Sequence, residues 1–210
     1  MLVLTSQEEL PMNHRNLTLA LILLTLLSGF LGAQSPSETY KIGDTGPAGG
    51  IVFYDKGFIS DGWQYLEAAP ASAEFSAEWG LYDYDAEYDW DETNPTVGGG
   101  RANTRHIVEL LNARGESNRA AQGCAALNIN GYADWFLPST DELDLMYTTI
   151  RKHPHGGFKT EEDFLNFTHG YWSSSQSSAD SVWHQFFNNG YRYYGNRKNY
   201  TYSVRAVRAF

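Results

Sequence analysis

Eight residues near the carboxy terminus have the types and spacing to hold a ligand: Tyr191, Arg192, Tyr193, Tyr194, Arg197, Lys198, Tyr200 and Tyr202. Tyrosine rings offer flat faces on which sugar C–H groups stack. Guanidinium forks hold sulfate or carboxylate in a bidentate grip. These eight form the candidate ligand-binding set. The competing reading is structural, with tyrosines filling a pleated sheet and cations left in solvent. Downstream, Arg205 and Arg208 are three positions apart and cannot share one face of a regular strand. Either one of them sits in a buried ion pair, with Asp134 or Asp141 as partner, or a bulge intervenes.

Other residues that could do chemistry carry weaker patterns. Asp83, Asp85, Asp89 and Asp91 crowd one tyrosine-rich loop and could offer oxygens to calcium. The spacing is not that of an EF-hand, and a solvated acidic loop is the alternative. His153-Pro154-His155 is a lone pair of imidazoles in a loop. Ser173, Ser174 and Ser175 lack the glycine frame of a hydrolase elbow and read as a strand beside Trp172. Cys124 with His106 has no supporting motif. The expectation is therefore no catalytic residue, no metal site and no cofactor.

The elements that would position these residues follow from punctuation and periodicity. Gly43 to Gly50 is a glycine-rich turn feeding a strand at Ile51-Val52-Phe53-Tyr54, and Trp63 to Ala68 reads as its hairpin partner. Residues 71–100 look loop-like, closing on Gly98-Gly99-Gly100. Asn103 or Thr104 can cap a helix through Ile107, Leu110 and Leu111. A second helix runs from about Asn118 to Leu127. Gly131 to Leu137 is a turn into a short extended piece, and Pro138 stops it. Ser139 and Glu142 then have capping-box spacing, with Leu143, Met146, Tyr147 and Ile150 as the buried stripe of a third helix. Tyr171 to Ser175 and Val182 to Phe187 are extended. Asn189-Gly190 marks a hairpin, Tyr191 to Tyr194 returns, and Tyr200 to Phe210 reads as one long final strand. The order of strands, helices and an antiparallel meander predicts an α+β domain without βαβ repeats.

Composition narrows the function classes. Aromatic residues at 15% and charged residues at 19% argue against disorder. A single cysteine excludes a disulfide scaffold and a multi-thiolate zinc site. A net charge of -10 argues against nucleic-acid binding. Leu17 to Leu31 is apolar, preceded by His14-Arg15 and followed by Gly32-Ala33. That pattern predicts a secretory signal peptide, since the run is short of the roughly 20 residues a membrane span needs. Residues 1–33 are expected to be an over-long start, with Met12 as an alternative beginning, plus this leader. Residues 34–41 read as a linker and 42–210 as one domain. No membrane span remains after cleavage. Charge is uneven: residues 151–210 carry 8 basic and 4 acidic side chains, residues 38–150 carry 6 and 19. That asymmetry makes the carboxy-terminal third the expected anion-facing surface.

Four words in order, GDTGPAGGIVFY, GYADWFLPSTDELDLMY, YWSSSQSS and YSVRAVRAF, resemble the Lcl C-terminal domain family. The name comes from the last domain of a bacterial collagen-like adhesin, and the family was long described as a domain of unknown function. The resemblance spans about Ile42 to Phe210. It implies a C-type-lectin-like fold, with helices beside a small twisted antiparallel sheet and long ligand-facing loops. It also implies a secreted, periplasmic or cell-surface location and a binding role in adhesion. The implied ligand is an extracellular carbohydrate, sulfated or otherwise anionic; the alternative is a protein–protein module of the cell envelope. The collagen stalk is absent from this sequence. The family pattern also places a cysteine where Leu81 stands, so Cys124 is expected as a buried apolar residue without a disulfide partner.

Overall fold

The computed structural model describes residues 39–80, 93–154, 156–158 and 170–210. The expected leader and linker up to residue 38, the Asp83 to Glu92 run and His155 lie outside the described residues. Contacts separate the chain into Met1–Thr39 and Tyr40–Phe210. In the second unit β1 (Ile51–Ser60), β2 (Trp63–Ala68) and β3 (Phe75–Glu78) come first, then α1 (Gly100–Ala113), α2 (Ala120–Ala125) and α3 (Thr140–Ile150). β4 (Gly170–Gln176), β5 (Ser181–Phe186), β6 (Arg192–Arg197), β7 (Thr201–Val204) and β8 (Val207–Ala209) complete it. This is an α+β architecture.

The strands form two sheets, β1-β2-β8 and β3-β7-β4-β5-β6. Three expectations change. The final run is not one strand: β7 ends at Val204 in the larger sheet and β8 starts at Val207 in the smaller one. The larger sheet is not wholly antiparallel, because β7 lies parallel to β4, with Tyr171 facing Ser203. Residues 71–100 are not all loop, since β3 pairs with β7 over Phe75–Glu78. Local pattern cannot announce such long-range pairings.

All of β4 is buried, because both faces of the central strand are covered. Its alternation sends Trp172 into a core with Trp79, Ile107, Trp135 and Val204. Tyr171 points the other way, toward Phe53, Leu143, Met146 and Phe187. The serines of this strand are polar ties in a dry interior. Ser173 Oγ donates to Trp183 O at 2.7 Å. Ser174 Oγ accepts from Asn103 Nδ2 at 3.1 Å, and Ser175 Oγ accepts from Thr140 N at 3.1 Å.

The first helix starts earlier than expected. Its N-cap is Gly99, and Asn103 sits inside, bonding the Asn94 backbone through both side-chain atoms at 2.7 Å. The start is capped from elsewhere. Buried Glu142 accepts Gly98 N at 2.8 Å and Ser139 N at 2.7 Å, with a further backbone hydrogen bond from Gly100. One carboxylate thus serves the amino ends of both α1 and α3, where orphan N–H groups and positive dipole ends favour an anion. Gly100 is required there: a Cβ would fall 2.3 Å from Glu142 Oε2. The predicted Ser139–Glu142 capping box is present.

Candidate functional site

β6 is an edge strand of the larger sheet, and it carries half of the candidate residues. Opposite it on β5, His184 pairs with Tyr193 and Val182 with Asn196. Two steps on β5 therefore match three on β6, a bulge that sets Tyr194 and Gly195 against Trp183. Bulges twist a strand and re-aim its side chains. Here the Tyr193 and Tyr194 rings lie 6.1 Å apart and nearly parallel, at 23°. Tyr191 is 6.2 Å from Tyr193, and Trp183 is 5.1 Å from Tyr194. Gly195 leaves room for this grouping, because a Cβ would stand 2.8 Å from the Tyr193 hydroxyl.

Tyr191, Tyr193 and Tyr194 are 58%, 38% and 62% exposed. They form an aromatic platform on the sheet edge, with half-buried Trp183 behind it. Trp183 was not in the sequence-derived set. Its signal was present, since it alternates with the buried Val182 and His184 and must face away from them. Tyr200 is exposed in the turn after β6 but makes no ring contact with the platform.

Tyr202 is corrected from ligand contact to core. It is buried, stacked on His184 at 4.8 Å and edge-on to Trp172 at 4.7 Å. Lys198 is corrected as well. It is 1% exposed, and its Nζ donates to Gln176 Oε1 at 2.9 Å and Ala179 O at 2.5 Å. Burial pushes its ammonium down to about 8, against the opposing pull of Asp180. Arg192 is half-buried; its Nη2 reaches Thr140 Oγ1 and Asp141 Oδ1, each at 3.0 Å. Its Cζ lies 5.9 Å from the centre of the Trp183 ring. Arg197 is exposed at the end of β6.

Among the described residues, the expected basic surface of the last third is reduced, for a physical reason. Three of its arginines pair with acids from earlier in the chain, and Lys198 is buried. Arg205 Nη2 meets Glu74 at 2.6 Å. Arg208 meets Glu67 at 3.0 Å and Asp134 at 2.5 Å. Arg192 takes Asp141. Asp134 and Asp141 are thus both pairing residues, and both Arg205 and Arg208 are buried. The asymmetry along the sequence is the complementarity of two halves that fold together. What remains at the platform is mainly aromatic, an arrangement suited to stacking on flat or C–H-rich faces.

Comparison with known proteins bears on this geometry. The Lcl C-terminal domain family matches residues 71–208. The chain belongs to that family. The match takes in the platform, both buried arginines and the capping box, and it begins after the glycine-rich turn. No protein of curated function matches this Lcl C-terminal domain chain. Among solved structures, a fimbrial protein from Bacteroides ovatus ATCC 8483 is similar at 12% identity and a TM-score of 0.47. The similarity covers 71% of this chain and 36% of that one, so the chain spans little more than a third of the fimbrial protein. Among the described residues, no helix is long and apolar enough to cross a membrane, and no cluster of His, Cys, Asp or Glu could hold a metal.

Proposed function

We propose that this Lcl C-terminal domain is a non-catalytic, extracellular binding module that recognises carbohydrate in adhesion. The observation that carries the reading is the platform of Tyr191, Tyr193 and Tyr194 backed by Trp183. Three exposed rings are gathered on one edge even though Tyr193 and Tyr194 also pack on His184 and Trp183, and aromatic faces are the common surface for sugar rings. The internal use of Arg205, Arg208 and Lys198 moves the reading away from a charge-driven sulfated ligand. The favoured ligand is a neutral or weakly anionic glycan, with Arg197 as a peripheral contact. A secreted or cell-surface location fits the leader-like amino terminus. A C-type-lectin-like arrangement remains the proposed finer description of the fold, supported by helices packed beside a three-stranded and a five-stranded sheet.

A protein module of the cell envelope is the second reading, favoured by the edge position of β6. Such a strand can take another strand by backbone pairing. A glycan array probed with the full chain separates the two. Selective binding to one saccharide class supports carbohydrate recognition. Absence of any selective saccharide sinks it and leaves the protein module.

A further inference from the structure

A cleft of about 420 Å³ opens between the turn of the β1–β2 hairpin and α1, built by residues the platform does not use. Its size falls in the range of small-molecule sites. Trp63, the first residue of β2, forms one wall, and Leu66 and Phe136 contribute apolar surface. The indole is held in place: Lys56 Nζ lies 3.7 Å from its ring centre, and Gly98 approaches its edge so closely that a Cβ would come within 3.3 Å of Cζ2.

The other wall is cationic. Arg101 and Arg105 are one turn apart on the same face of α1 and both line the cleft. Arg101 is anchored, with Nη2 donating to Ala209 O at 3.0 Å and lying 3.6 Å from Asp134. Its Cζ stands 5.5 Å from the centre of the Phe136 ring. Arg105 is exposed and makes no hydrogen bond or ion pair among the described residues. The one carboxylate in the lining, Asp61, is offset by Lys56 at 4.0 Å. An aromatic wall, apolar surface and two guanidinium groups thus converge on one small volume.

We propose that this cleft binds a small organic carboxylate carried on a flat or ring-shaped body. The carboxylate sits between Arg105 and the N–H groups that Arg101 has left. The body lies against Trp63, Phe136 and Leu66. A bare inorganic anion would leave the apolar surface wet. A neutral apolar molecule would bury guanidinium groups without a counter-charge, which is costly. The proposal does not rest on carbohydrate binding at β6, and its residues are different.

Calorimetric titration of the full chain with phenylacetate tests it, alongside methyl phenylacetate, acetate and glucuronate. Phenylacetate is expected to bind, and its neutral ester to bind about tenfold or more weakly, the usual cost of losing a charge-assisted pair. Acetate is expected to be weaker for want of a ring. Glucuronate distinguishes the source: tighter binding than phenylacetate assigns a sugar acid, weaker binding an aromatic acid. Arg105→Ala should lower affinity about tenfold and Arg105→Lys less, because the ammonium lacks the fork. Neither substitution should change Tm, since Arg105 is exposed and unpaired. The NMR signal of the Trp63 indole N–H, assigned with Trp63→Phe, should shift on titration. Equal binding of acid and ester overturns the proposal. So does full affinity in Arg105→Ala, or saturation by none of the acids at millimolar concentration.

Discussion

The Glu67 carboxylate and the Arg208 guanidinium meet at 3.0 Å in the interior, joining β2 to β8. The same carboxylate accepts the backbone N–H groups of Gly50 at 3.2 Å and Ala48 at 3.4 Å. It therefore also holds the glycine-rich turn ahead of β1. Arg208 reaches on to Asp134 at 2.5 Å. Three of the four sequence words that carry the resemblance, those containing Gly46 to Gly50, Asp134 and Arg208, converge on this one polar knot, and the family match over residues 71–208 takes in Asp134 and Arg208. Those words are kept together by folding and carry no direct sign of the ligand.

Glu67→Ala should therefore lower stability by about 3 kcal/mol or more, because it leaves Arg208 buried with one acid fewer. Gly46→Ala should also destabilise, since its Cβ would stand 2.2 Å from Glu67 Oε2. Urea unfolding measures both. The double variant with Arg208→Ala should lose less than the sum of the single losses, as residues in contact do. Strict additivity would mean that the pair is not coupled.

Two buried groups should give the stability curve opposing slopes in mild acid. Burial holds the His184 imidazole down to about 4. Its unfolded counterpart takes a proton near 6.5, so its contribution is full above that value and is lost as pH falls toward 4. Burial pushes the Glu142 carboxyl up to about 7, against the backbone hydrogen bonds that favour its charge. Its contribution is full below about 4.5, the usual carboxylate range, and is lost as pH rises through 7. Glu142→Gln should make the slope of stability with pH more positive than the parent's, through about pH 7. His184→Phe should make it more negative, between about pH 4 and 6.5. Denaturant midpoints across pH 4 to 8 check both signs, and unchanged slopes would contradict the assignment.

Much of the frame was legible in local chemistry. Trp63 to Ala68 announced its hairpin by alternation, Ser139 and Glu142 announced α3 by capping spacing, and Asn189-Gly190 marked the last hairpin. The illegible parts depended on distant residues. Nothing local to Gly98-Gly99-Gly100 shows that Glu142 will cap α1. Nothing in Tyr200 to Phe210 shows that Arg205 and Ala206 carry the chain from one sheet to the other. Lys198 lies among exposed aromatic and basic residues and reads as a surface cation, yet Gln176 and Ala179 draw it inside. Of the candidate site, the exposed tyrosines were legible as residue types. Trp183 and the bulge at Gly195 that gathers the rings came from the β5–β6 register.

Cys124 should behave as an inert thiol. It is fully buried on α2, in the core that holds Trp172, and burial raises its pKa well above the usual thiol value. The thiolate is the reactive form, so labelling by a maleimide should be slow in buffer and fast in denaturant. Labelling at the same rate in both would contradict its burial.

Removing the charge of Lys198 should leave ligand binding intact. Lys198→Met keeps the length of the side chain and loses the bonds to Gln176 and Ala179. The change should appear in Tm, with saccharide affinity altered less than twofold, about the size of a remote perturbation. Abolished binding with an unchanged Tm would restore Lys198 as a ligand contact.

The most direct test of the aromatic platform is the affinity of the full chain for its best array saccharide, compared between two variants. Replacing Tyr191, Tyr193 and Tyr194 together by Ala should weaken binding by about tenfold or more, given roughly 0.5–1.5 kcal/mol per stacked ring. Arg197→Ala should change it only severalfold, with an affinity that varies little as salt rises, because the paired arginines inside contribute no external field. Undiminished binding by the tyrosine variant, together with its loss in Arg197→Ala and a steep fall with salt, would contradict the account.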